Sequence, residues 1–254
     1  MTSRFKFRLF SAILSLFWLI LTPLPVYGRR NLNLWIDGIF EVPTRWIRHT
    51  FFPSFPDYDG FFTDSINYAV LLGFGALLST LVYPVIRQLR SRVYTIVWFN
   101  KNIIIYLLAW IFLVYGFSKI LGNQFPDLAT LAIEKKQENK DLLFWAWMGA
   151  NPLLVYWIGL MEIGIGLSLL FKKSRKIGLV AFLFAVLGIL IVNLIFDIGV
   201  VIFSMVLLFA GATALNLEKR FQEFKRPIPE NIYKSMKLLV ILWILILAGF
   251  HSHG

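Results

Sequence analysis

Cysteine is absent from these 254 residues. That excludes structural disulfides, thiol–disulfide exchange by the chain itself, and zinc or iron–sulfur centres held by thiolates. Histidine is nearly absent: His49, His251 and His253 are the 3 copies, and none falls inside a confident apolar run. A haem clamped between membrane histidines is therefore not expected. His251 and His253 form at most half a metal site, so no metal is expected either. Charge is scarce, at 15% of residues against 58% hydrophobic. A soluble domain of this size needs a polar skin that so few charges cannot supply. The formal net charge of +11 does not point to nucleic acid, because the basic residues sit at the ends of apolar runs. No Walker loop, nucleophile elbow, zincin motif or dinucleotide fingerprint is present.

Long unbroken apolar runs are what the sequence does have. A helix crosses about 30 Å of hydrocarbon with about 20 apolar residues, and unbroken rather than alternating runs favour helices over a barrel. The expected fold is all-α, a polytopic membrane helix bundle in one membrane domain over residues 1–254. Six crossings are expected at 9–27, 66–86, 103–121, 151–171, 177–196 and 199–216. A seventh, at 238–250, is short and needs its flanks to span. The first run follows Arg4, Lys6 and Arg8 and reads as a retained signal anchor, although Val26-Tyr27-Gly28 would also serve as a cleavage site.

Two stretches between runs read as short interfacial helices. Residues 29–64 are rich in aromatics, with Leu32, Trp35, Ile36, Ile39, Phe40, Trp46 and Ile47 at helical spacing interrupted at Pro43. They form either an aromatic belt or a lid over a cavity. Residues 142–148, with Trp145 and Trp147, follow a solvated polar segment at 134–141. Counting Lys and Arg by side gives 17 inside and 8 outside if the N-terminus is cytoplasmic. The expected location is a bacterial cytoplasmic (inner) membrane, N-terminus inside and C-terminus outside.

A charge near mid-bilayer costs about 3 kcal/mol on insertion scales, so each one needs a partner or a purpose. Glu162 lies about eleven residues into the fourth run, near the midplane, with Gly159 and Gly166 on its face. Lys119 ends the third run with Tyr115 one turn below, and Asn193 and Asp197 share a face at the end of the fifth. The expected pair is Lys119 with Asp197, leaving Glu162 free at the floor of an outward-facing polar cleft. Nothing polar is expected to continue from Glu162 toward the cytoplasmic side. The bland alternative is a set of helix-end anchors plus one register-fixing ion pair. His49, in the first loop, faces the same compartment.

The stretch Tyr115-Gly116-Phe117-Ser118-Lys119, followed by Gly159-Leu160-Met161-Glu162-Ile163-Gly164-Ile165-Gly166, resembles the DoxX-like membrane proteins. The resemblance implies a four-helix core at 103–216, with Gly-x-x-Lys on its first helix and a Glu followed by glycines on its second. The wider chain resembles a group of seven-span proteins that add flanking helices to this core. Trp46, His49, Asp64, Gln124-Phe125, Trp145, Met148-Gly149, Asn193 and Asp197 carry that likeness. Where the group has Gly-Ser-Gly-Asp, this chain has Gly60-Phe61-Phe62-Thr63-Asp64. Family members serve beside membrane oxidoreductases, as in thiosulfate–quinone chemistry, or as assembly factors.

The functional expectation is a non-catalytic membrane subunit or accessory protein with a polar cleft. Its residues are Glu162, Lys119, Asn193, Asp197, Tyr115, Gln124, His49 and Asp64. No intrinsic cofactor is expected. The ligand expected for such a cleft is a quinone or lipid, and the expected partners are membrane lipids and a membrane protein or oxidoreductase complex. Two rivals stay open: an enzyme using Glu162 and Lys119 as an acid–base pair on a lipid-soluble substrate, and a small-solute transporter. The topology is directly testable. Reporter fusions at Ser174 and Ser252 should report opposite compartments, and agreement between them would remove the odd number of crossings.

Overall fold

The structure is a computed structural model that describes residues 3–21, 50, 61–88, 93–122, 124–125, 140–196, 198 and 200–221. Apart from short turns those residues are helical, with no strand among them. In chain order they form α1 (Ser3–Leu21), α2 (Phe61–Gln88), α3 (Val93–Ile120), α4 (Lys140–Gly149), α5 (Pro152–Leu170), α6 (Arg175–Ile195) and α7 (Val201–Phe221). The final apolar run at 238–250 and most of the aromatic loop lie outside the described residues.

Among the described residues, four helices are long and apolar enough to cross a membrane: Thr95–Ile120 in α3, Pro152–Leu170 in α5, Arg175–Ile195 in α6 and Val201–Lys219 in α7. They fit a multi-pass membrane protein. α3 packs on α5, α5 on α6, α6 on α7 and α7 back on α3, which closes a ring of four. α1 packs against α2, α3 and α7. There the Trp18 indole donates to Leu72 O at 3.0 Å and its ring meets Phe209 at 5.0 Å. The helices extend past the apolar runs that announced them. α3 begins at Val93, not 103, and α7 continues to Phe221, not 216. Hydropathy marks where a helix meets hydrocarbon, whereas backbone hydrogen bonding carries the helix on into polar surroundings.

Burial divides the four. In α3, 67% of the span is buried and in α7 61%, against 28% in α5 and in α6. The core accordingly runs along α3 and α7, where Ile104, Ile105, Leu108, Phe112, Val206 and Ala210 are buried, with Phe112 stacked on Phe182 of α6 at 4.4 Å. α5 and α6 instead turn large apolar side chains outward, including Leu153 at 71% and Phe184 at 72% exposure. In water that surface would be an aggregation liability. In hydrocarbon it is the ordinary outer face.

The α3–α5 contact is the closest in the bundle. A Cβ on Gly116 would stand 2.7 Å from Gly159 O, and one on Gly159 would stand 2.8 Å from Gly116 O. A turn or two away, Gly166 sits against Ala109 O and Leu113. The two backbones therefore run antiparallel, with Gly116 facing Gly159 and Ala109 facing Gly166. The face of Gly159, Glu162 and Gly166 admits a neighbouring helix, as its composition led us to expect. α3 then ends at Gly122, whose φ of 72° suits glycine and closes the helix. α5 opens with Pro152 in its first turn, where a missing N–H has no consequence.

The crossing can be tested by substitution. Gly159→Leu should lower the detergent melting temperature sharply, since overpacking costs about 1–3 kcal/mol or more where backbone must move. Gly164→Leu, at a position where an added Cβ would meet nothing within 4 Å, should leave it unchanged.

Candidate functional site

Helix direction decides the partner of Lys119. On any α-helix the Cα–Cβ bonds tilt toward the N-terminus. In antiparallel α3 and α5, Lys119 and Glu162 therefore lean toward each other along the bundle axis. From the glycine register, Glu162 stands level with about Leu113, roughly 9 Å below Lys119 at 1.5 Å per residue. A lysine stem of about 6 Å and the shorter glutamate stem close that gap. Lys119 Nζ donates to both carboxylate oxygens of Glu162, at 2.9 Å to Oε1 and 2.8 Å to Oε2. The two residues are 9% and 4% exposed, so the pair is formed out of water.

This corrects the expected pairing. Lys119 is bound to Glu162 and not reserved for Asp197, and Glu162 is not left free. Sequence position alone put Lys119 at a helix end two turns from Glu162, but the converging side chains cross those turns. Asp197 and His49 lie outside the described residues, and of Asp64 only its place in α2 is described.

The remaining expected residues divide between the site and the scaffold. Tyr115 presents its ring 5.4 Å from the Lys119 ammonium, a cation–π arrangement. Ser118 Oγ donates to Tyr115 O at 2.9 Å and approaches Gln124 Oε1 at 3.4 Å, tying the segment after α3 to its last turn. Beyond it Phe125 meets Trp145 of α4 at 5.2 Å, and Phe144 meets Phe196 at the end of α6 at 5.1 Å. An aromatic group thus joins α4, the α3 end and the α6 end. Asn193 is buried, but its amide donates to Ser204 Oγ of α7 at 2.9 Å, and its carbonyl accepts from Ile198 N at 3.0 Å. It holds the tight α6–α7 connection.

At the opposite end of the bundle, just outside the apolar runs expected to cross, a second group of polar side chains is buried. Lys101 of α3 donates to Glu218 Oε2 of α7 at 2.5 Å. Arg175, 1% exposed, brings Nη1 to 4.0 Å from the same oxygen. Its Nε donates to Leu169 O at 3.0 Å, its Nη1 to Asn102 Oδ1 at 3.2 Å, and its guanidinium lies 5.8 Å from the Tyr106 ring. Asn102 Nδ2 donates in turn to Trp98 O at 2.8 Å. The turn of basic residues at 172–176 thus sends one member, Arg175, into the core. The available signal was the polar triplet Asn100-Lys101-Asn102 inside a helical pattern, and Glu218 one turn beyond Ala214 on the buried face of α7.

Lys101 and Lys119 are 18 residues apart on one helix, about 27 Å at 1.5 Å per residue. Two charged layers therefore bracket a largely apolar slab close to the roughly 30 Å of a bilayer core. Glu162 joins the Lys119 layer through its side chain, while its backbone stays about 9 Å deeper, level with about Leu113. Chemically, the Lys119–Glu162 layer is a closed pair whose charges neutralise one another, whereas the other layer sets two cations, Lys101 and Arg175, on the one carboxylate of Glu218.

Removing one partner of such a pair leaves a buried charge and costs about 3–5 kcal/mol, while replacing both with apolar groups is often near neutral. Lys119→Met and Glu162→Met should each lower the yield of folded protein. The double variant should recover most of it, by size-exclusion chromatography and thermal unfolding in detergent. Additive losses in the double variant would refute the pairing.

No protein-family model and no solved structure matches the chain. Over 131 residues it is 30% identical to the uncharacterized protein YwoB of Bacillus subtilis (strain 168), covering 51% of this chain and 84% of that relative. At that identity and coverage of the relative, the chain belongs to the YwoB family.

Proposed function

We propose that the chain is a non-catalytic membrane subunit or accessory protein, binding a lipid-soluble ligand or a partner at the Lys119 end. The observation that carries this reading is the bidentate Lys119–Glu162 pair beneath the aromatic group of Phe125, Phe144, Trp145 and Phe196. An acid–base catalyst needs one group ready to give a proton and another ready to take it. Here the two candidate groups satisfy each other, which suits binding better than proton transfer. The ammonium has three hydrogens and Glu162 accepts two, so a ligand carbonyl can take a hydrogen bond from the third. A quinone ring combines such carbonyls with a flat face for aromatic neighbours.

The proposal includes seven crossings in a bacterial inner membrane, N-terminus cytoplasmic, with the Lys119 end outward. It includes DoxX-like kinship for the ring of α3, α5, α6 and α7. The Gly116-Phe117-Ser118-Lys119 and Glu162 motifs that suggested that kinship meet in one ion pair, which supports it.

The test uses the full chain extracted in mild detergent, with mass spectrometry of co-purifying quinones, lipids and proteins. Wild type should retain a quinone or a membrane-protein partner, and the folded Lys119→Met/Glu162→Met double variant should lose it. Turnover of a lipid-soluble substrate by the purified chain alone would overturn the non-catalytic reading.

A further inference from the structure

The end of the bundle opposite Lys119 gathers basic side chains that the buried pairs do not use. Arg175 reaches from the α5–α6 connection to Glu218 near the end of α7, which brings those two helix ends together. Lys173 and Lys176 flank Arg175 in sequence, and Lys219 follows Glu218, so all three surround that contact. Lys173 and Lys219 are exposed and Lys176 is half-buried.

Among the described residues at this end, Glu218 is the carboxylate, and it is 6% exposed and engaged by Lys101. It therefore does not neutralise the exposed lysines. Immediately beside them the surface turns apolar: Phe171 is 53% and Ile177 75% exposed. Ammonium groups above an exposed apolar band match one kind of molecule, an anionic headgroup attached to acyl chains. Nucleic acid or free phosphate would use the charge and leave the apolar band in water.

We propose that Lys173, Lys176 and Lys219 form a binding surface for the phosphate headgroups of anionic lipids, with Phe171 and Ile177 against the acyl chains. This rests on the membrane reading above but not on the ligand or partner assigned to the Lys119 end. A basic residue near an anionic surface contributes about 1 kcal/mol, which is about fivefold in affinity for each lysine.

The test extracts the full chain into micelles holding equal amounts of phosphatidylglycerol and phosphatidylcholine and counts retained lipids by native mass spectrometry. Wild type should retain phosphatidylglycerol over phosphatidylcholine. K173Q/K176Q/K219Q should lose that preference, with K173Q alone losing about fivefold in retention, while K173R/K176R/K219R should keep it. Unchanged thermal unfolding confirms that the variants are folded. Equal retention of the two lipids by wild type, or an undiminished preference in the glutamine variants, overturns the proposal. Displacement of the lipid by excess inorganic phosphate overturns it in favour of a free-phosphate site. Recovery of the chain in the aqueous fraction without detergent would instead overturn the membrane reading itself.

Discussion

Where α3 and α5 cross, Gly116 and Gly159 leave their backbones too close for a methyl group on either. Hydrocarbon provides no hydrophobic drive to bring two helices together, so close packing and polar contacts must do so. The glycines allow the approach, and the approach sets the register that puts Lys119 within reach of Glu162. In the other direction, the ion pair holds the register, because a slip of one turn would strand two buried charges. Gly166 against Ala109 and Leu113 extends the same seam toward the bundle centre.

The far end is held by different chemistry. There Arg175 serves as a hub, donating to a backbone carbonyl and to Asn102 while lying near Glu218 and the Tyr106 ring. A guanidinium suits this because its planar fork serves several acceptors at once. The hub ties α3, the α5–α6 connection and α7, whereas the Lys119 pair ties α3 to α5. α3 takes part in both layers and is the most buried of the four long apolar helices. The chain is thus clamped at two levels about 27 Å apart, estimated from the helical rise, with apolar packing between them.

Having a neutral pair at one end and surplus positive charge at the other gives the two ends different partners. At the Lys119 end the charges cancel and aromatic rings gather, which suits an uncharged flat ligand or a protein face. At the Glu218 end the lysines around the hub keep a net positive field, which suits anionic headgroups. One bundle therefore presents two chemically distinct surfaces, each built on a buried ion pair.

The membrane character and the positions of α3, α5, α6 and α7 were legible in the sequence, because hydrocarbon demands long apolar runs whatever the tertiary arrangement. So was the meaning of Gly159, Glu162 and Gly166, since their spacing alone puts a charge on a face of small residues. Helix ends were less legible: α3 and α7 run on through Asn100-Lys101-Asn102 and Glu218, where hydropathy falls but hydrogen bonding does not. What the sequence could not decide was which charge meets which. Lys119 had two acids in range by position, and Lys101 and Glu218 are separated by 117 residues. Those choices depend on which helices are neighbours, on their direction and on their register to within a turn. Only the packed bundle supplies these, through the tilt of Cβ atoms on antiparallel helices and the depth to which glycine lets two backbones close.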